Sequence, residues 1–384
     1  MMDEAGVTAG LTPPWCRADG LPEVPADEPF GYMQGGRLKP CSAEKLHEVV
    51  SSSQVATVTF VWTPETEGLE PAAWVPSLAG PVRRCQRQEL TVGLLNGLCL
   101  VGFGWMSWGI GSLGQGDAAG WLAGVFVLVG LIALGQAVWS WKRPADATPS
   151  EDGLLRFRFA AWLTARPNRY TLALMVCAFA PSLVAVFAGL EEAVDAAGLV
   201  RAEVAGGEWW RLLTYGSLHG GAMHGVMNAA VLFAVGGLVE ALLGWKRLVA
   251  VYVGGVVVGG LATWWWPVSD LPTVGASAGV LSLVGALLVV GVRWRAWLPR
   301  RFAWSWVAVV VLTGGVGAVL PGMIDNVAHG GGLMAGLVMG WVLTPRDAAR
   351  GPREPAWPVG LIALTCLLAQ VGAAVWVLWR VLLR

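Results

Sequence analysis

From Leu90 onward the chain is a succession of apolar runs, each near the length an α-helix needs to cross a lipid bilayer. At 1.5 Å per residue, about 20 apolar residues span the hydrocarbon layer. By that measure the spans are Leu90–Leu113, Ala119–Trp141, Tyr170–Leu190, Ala222–Leu243, Leu248–Trp266, Val274–Val292, Trp304–Leu320, Asn326–Leu343 and Pro358–Leu382, about nine crossings. Backbone in hydrocarbon must bond to itself, so runs of this length fold as helices. Of the residues, 55% are hydrophobic and only 14% charged, too few polar groups to clothe a water-soluble globule. Net charge is zero, which by itself says nothing about nucleic acid, and no basic tract suggests a nucleic-acid partner.

The basic residues thread the spans. Arg83, Arg84 and Arg87 precede the first; Lys142, Arg143, Arg156, Arg158, Arg166 and Arg169 follow the second. Lys246 with Arg247, then Arg293, Arg295, Arg300 and Arg301, then Arg346, Arg350 and Arg353 mark every second loop after that. The alternate loops carry Glu191, Glu192, Asp195, Glu203, Glu208, Asp270 and Asp325, with only Arg201 and Arg211 against them. The positive-inside bias places the N-terminus in the cytosol and Trp264–Trp266 at the outer interface, where indole rings are at home. Only Arg380 and Arg384 run against it.

Four segments result: a cytosolic N-terminal domain over 1–88, two extra transmembrane helices with a basic linker over 89–169, a helical core over 170–345, and a linker with a last transmembrane helix over 346–384. In the first, Ser42 can cap a short helix reaching Val50, and Val55–Trp62 has the β-branched and aromatic content of a strand. His47 is a surface residue of that helix. The first thirty residues are polar and proline-rich, without the apolar core of a signal peptide. The six cysteines have no disulfide spacing and are read as unpaired. No set of three or four metal ligands has zinc spacing, and no cofactor is expected.

The threading sets polar side chains at one level. The spans starting near Ala222, Val274 and Asn326 all enter from the outer face, and a residue a turn inside each lies about 5 Å deep. Those residues are His224 with Asn228, then Ser277, then His329; His219 lies at the same level. A lone serine there can bond its own backbone, and a lone histidine can join helices. Ionisable groups in a membrane are expensive and face the bundle interior or a watery cavity, so three of the chain's four histidines beside one serine point to a site.

Three motifs in register carry a resemblance. Glu208-Trp209-Trp210-Arg211-Leu212-Leu213-Thr214 is followed by Leu218-His219, Met223-His224, Asn228 and Gly236-Gly237-Leu238-Val239-Glu240. Then come Gly275-Ala276-Ser277 with Val280, Leu281 and Gly285, and Ala328-His329-Gly330-Gly331-Gly332-Leu333-Met334-Ala335-Gly336. Over about Tyr170 to Leu343 this pattern resembles the bacterial rhomboid intramembrane serine proteases. The resemblance implies a rhomboid-like six-helix core within an all-α polytopic membrane protein; the additional N- and C-terminal transmembrane helices and the small soluble α+β N-terminal domain, read from the spans and composition, lie outside that pattern. It implies Ser277 as nucleophile and His329 as its base, since a serine hydroxyl needs an adjacent base. His224 and Asn228, on one helix face at i and i+4, would donate to the oxyanion. His219, Trp210, Arg211, Glu240, Gly275, Gly332 and Gly336 would support the structure. Gly332, Gly336 and Gly340 are spaced to let the histidine helix approach the serine helix. Asp325 is read as a helix cap rather than a third catalytic member.

Further implications follow from that family. Substrates would be transmembrane segments of other proteins in the bilayer, and the location would be a bacterial inner membrane. Oligomeric state is left open. One departure stands out: Ala278 follows Ser277 where the family usually has glycine, and alanine disfavours a positive φ. It supports the alternative of a rhomboid-like protein that binds membrane clients without cutting them. A transporter would hold its polar groups at the bilayer midplane, not at this shallow level. In the N-terminal domain, Gly31-Tyr32, the helix, Val61-Trp62-Thr63-Pro64 and Trp74 resemble a small GYF-like module.

Overall fold

The computed structural model describes residues 12–16, 22–34, 37–52, 59–111, 130, 134, 151–266, 271–319, 324–348, 355 and 357–382. They fall into two compact units, one within Pro14–Ala165 and one built on Arg166–Arg384.

In the first unit, β1 (Gly31–Gln34) and β2 (Arg37–Pro40) form an antiparallel hairpin. With β3 (Phe60–Trp62) and β4 (Glu70–Pro71) they make a sheet of order β2-β1-β3-β4, antiparallel throughout. The strand expected at 55–62 is thus present from Phe60; residues 53–58 lie outside the described residues. Helix α1 (Ala43–Ser52) starts where Ser42 Oγ accepts the Lys45 N–H at 3.2 Å. Its Leu46 and Val50, one turn apart, are buried with Val61, Ala72, Val75 and Leu78. Val82 and Cys85 join that core from the first turns of α2 (Ala79–Gly111), so a helix that begins on a soluble core runs on into the first apolar stretch. The expected span 119–141 lies outside the described residues apart from 130 and 134. The basic stretch after it is helical, α3 (Glu151–Thr164). Its Phe157 meets Phe60 and Trp74 edge-on, and Phe159 and Trp162 pack on Trp15. None of the six cysteines is in a disulfide, and burial pushes the Cys16 thiol up to about 11 against the pull of Arg158.

The second unit is helical and apolar: α4 (Arg169–Ala188), the short α5 (Leu190–Ala197), α6 (Arg201–Ala205) and α7 (Arg211–Thr214), then α8 (Ala222–Leu243), α9 (Trp245–Trp265), α10 (Ser277–Arg293), α11 (Phe302–Val319), α12 (Asn326–Leu343) and α13 (Trp357–Leu382). Five of these are long and apolar enough to cross a membrane, and α10 and the first part of α11 are shorter apolar helices. A helix stands at each of the seven spans expected between Tyr170 and Leu382, and the chain is a multi-pass integral membrane protein. Six helices, α4 and α8 to α12, make the expected core, and their outward side chains such as Val176, Phe187, Phe233 and Val311 are exposed, as lipid-facing residues are.

Connections fix the levels. Glu240, near the end of α8, accepts the Tyr170 and Thr171 N–H groups at 3.2 and 2.8 Å and the Thr171 hydroxyl at 2.7 Å. The end of α8 therefore caps the start of α4. Arg293, closing α10, bonds the Thr344 carbonyl that ends α12. The starts of α8, α10 and α12 share the opposite face. There Leu199 and Thr273 exchange backbone bonds, and Arg211 Nη1 donates to the Gly198 carbonyl at 2.7 Å. Arg211 also pairs with Glu208 at 2.6 Å, so this buried arginine knits the connection at that face. The last helix, α13, packs against α4, α5, α7 and α9.

Candidate active site

Ser277 is the first residue of α10, not one turn inside a span starting at Val274. The cause is Gly275, whose φ of +134° breaks the helical path just ahead of Ala276. Starting there leaves the first N–H groups of α10 without partners in their own helix. The Gly275 N–H is held by the Tyr215 carbonyl at 3.0 Å, and the Tyr215 hydroxyl by the Val256 carbonyl at 2.7 Å.

His329 is the fourth residue of α12, and its Nε2 lies 2.7 Å from Ser277 Oγ. Glycines make this approach possible. A Cβ at Gly332 would fall on the Ala278 carbonyl, one at Gly336 on the Ser282 carbonyl, and one at Gly340 would lie 2.8 Å from Ala286 Cα. The stripe on α12 thus faces positions 278, 282 and 286 of α10, each step one turn along both helices. Asp325 caps α12 through the Val327 and Ala328 N–H groups at 3.0 and 2.9 Å. Its other oxygen accepts the Thr263 and Thr273 hydroxyls at 2.6 and 3.1 Å. Both carboxylate oxygens are engaged, while buried His329 Nδ1 meets no acceptor, so the serine–histidine pair has no third member among the described residues.

His224 borders the other side of the serine. A side chain at 275 would approach His224 Cε1 to 3.0 Å, His224 Nε2 to 3.2 Å and Ser277 Oγ to 3.7 Å, so the imidazole edge and the hydroxyl face one small space. Asn228, one turn on, spends one Nδ2 hydrogen on the His224 carbonyl at 3.0 Å, and an amide carries two. His219 sits behind: its ring stacks on Phe179 at 4.6 Å and meets His224 edge-on at 5.2 Å. His219 Nε2 accepts the Ala276 N–H at 3.3 Å, and its Nδ1 donates to Ser182 Oγ at 3.0 Å. The Ser182 hydroxyl donates to the Ser217 carbonyl at 3.1 Å, which fixes this tautomer. Ala278 is helical, and its methyl lies against Gly259, where an added Cβ would come within 2.5 Å. The position needs no positive φ, so the feared strain is absent.

Ser182, Tyr215, Ser217, Thr263 and Thr273 were not singled out by sequence reasoning. Their only signal is a hydroxyl within or beside an apolar run, and such hydroxyls bond their own helix often enough to hide the rest.

Residues 206–346 match the sequence model of the Rhomboid domain, and that stretch contains His219, His224, Asn228, Ser277 and His329. The chain carries a rhomboid domain. The chain is similar to Rhomboid protease GluP of Bacillus subtilis (strain 168), 34% identical over 151 residues, which are 39% of this chain and 29% of that protein. It is similar to RHOMBOID-like protein 4 of Arabidopsis thaliana, 34% identical over 149 residues, 38% of this chain and 37% of the other. Putative rhomboid protease YdcA of the same Bacillus strain is 29% identical over 147 residues, 38% of this chain and 73% of its own length. The chain spans well under half the length of the first two of these relatives. The rhomboid domain ends before α13 begins.

Proposed function

We propose that the protein is an intramembrane serine endopeptidase that hydrolyses peptide bonds in or near transmembrane segments of other proteins. The observation that carries the reading is the 2.7 Å separation of Ser277 Oγ and His329 Nε2, brought from two helices to one level near their starts. In this reading the hydroxyl attacks the scissile carbonyl carbon while Nε2 takes its proton. Negative charge then grows on the carbonyl oxygen, next to the unpaired N–H groups and positive dipole end of α10. The His224 ring borders that space, and Asn228, one turn on, keeps a second Nδ2 hydrogen to donate. Collapse of the tetrahedral adduct breaks the C–N bond, and protonated His329 gives its proton to the leaving amine. Water, activated by the same imidazole, then cleaves the acyl-serine ester.

The rhomboid domain and the protease names of its relatives support the class. The charge pattern supports a cytosolic N-terminal unit and a site near the outer face of a bacterial inner membrane. Substrates enter sideways from lipid and must unwind, because a helix hides its carbonyls in its own hydrogen bonds.

The test is labelling of the purified, detergent-folded protein with a fluorophosphonate. Wild type should label at Ser277, and Ser277→Ala and His329→Ala should fall by about 10³-fold or more. A folded wild type that does not label would support a protein that binds membrane clients without cutting them.

A further inference from the structure

The apolar helix α13 carries one buried amide, Gln370, fully shielded from solvent. Burying a polar group in a membrane helix is costly and calls for a partner. Gln370 Nε2 donates to Ser217 Oγ at 3.0 Å, and Gln370 Oε1 is buried without a partner. One bond and one orphan atom are poor recompense if the amide served only to hold helices together.

Ser217 lies two residues before His219. Its carbonyl receives the Ser182 hydroxyl, Ser182 Oγ receives His219 Nδ1–H, and His219 Nε2 receives the N–H of Ala276, the residue preceding Ser277. A second observation reaches the same two loops: Val377 and Val381 of α13 share one buried cluster with Leu218, and Val274 packs against that cluster. The face of α13 thus holds the segment before α8 through Ser217 and Leu218, and the segment before α10 through Val274. These segments lead into the helices that carry His224 and Ser277.

We propose that Gln370 is a positioning residue for the oxyanion side of the Ser277 site, acting through Ser217 and His219. This inference rests on the peptidase reading. It assigns a task to a helix outside the rhomboid domain match. Removing the amide frees Ser217 to shift, and the His219–Ala276 bond that orients the start of α10 loosens with it. A misplacement of about 1 Å at such a site can cost about 10²-fold in rate.

The experiment is the concentration dependence of fluorophosphonate inactivation, which separates kinact from KI, on the full chain in detergent. Gln370→Met, closest in shape and unable to donate, should lower kinact about tenfold with KI within about twofold. Gln370→Glu, protonated in that setting and able to donate to Ser217 Oγ, should recover kinact to within about threefold of wild type. Folded Gln370→Met that reacts at the wild-type kinact, whether or not its melting temperature falls, would overturn the assignment. Should Gln370→Met fail to fold, Ser217→Ala breaks the same contact from the other end, and an unchanged kinact there overturns it equally. A wild type that never reacts would instead overturn the peptidase reading, and this inference with it.

Discussion

At the scale of single residues, Gly275 does two things that no other side chain permits. Its φ of +134° turns the chain so that α10 can begin on the serine, and its missing Cβ leaves the space that His224 and Ser277 share. Alanine there would meet both demands badly: the backbone costs about 1–3 kcal/mol, and the methyl comes 3.0 Å from the imidazole. Gly275→Ala should therefore still fold in detergent yet label about 100-fold more slowly, measured by fluorophosphonate kinetics beside a melting curve. Ala278 is the opposite case. Its methyl is accommodated by Gly259 on α9 and points away from any need for a special backbone. Ala278→Gly should leave the labelling rate within about threefold, and a rise beyond tenfold would show that the methyl throttles the site after all.

At the scale of elements, the approach of α10 and α12 is a matter of backbone against backbone. The glycine stripe was legible in the sequence because small residues at four-residue steps imply close helices, and its partner positions 278, 282 and 286 follow from the same step on the other helix. Gly336→Ala would drive a methyl into the Ser282 carbonyl, where no flexible side chain can give way. It should cost about 3 kcal/mol or more and abolish labelling, read as a drop in melting temperature together with lost reactivity. The serine's place was harder to read. An apolar run shows where hydrocarbon begins but not where helical φ and ψ begin, and Gly275 moved the helix start to Ser277. Glu240 was named without a partner. The bond it makes, to the N–H groups of Tyr170 and Thr171, joins residues about seventy apart, which no local pattern reveals.

For the whole molecule, the seven helices from Tyr170 on and the shared level of Ser277 and the histidines were readable from span length and loop charge, whereas the pairing of Ser277 with His329 came from the family resemblance. The hydroxyl relay from Ser182 through His219, and the packing of α13, were not, because they depend on which helices are neighbours. The same distinction yields a last prediction. The described groups that border Ser277 or hold those borders, from Ser182 and Arg211 through Tyr215, His219, Asp325 and His329 to Gln370, belong to the unit built on Arg166–Arg384. The unit within Pro14–Ala165 has its own core around Leu46, Val50 and Val61, and its own aromatic cluster on α3. Units that bury separate cores fold on their own contacts. A chain starting at Arg166 should therefore insert and label at Ser277 within about twofold of the full chain's rate. A folded short chain that fails to label would mean that the first unit contributes to the chemistry itself, and the assignment of the site to one unit would have to be withdrawn.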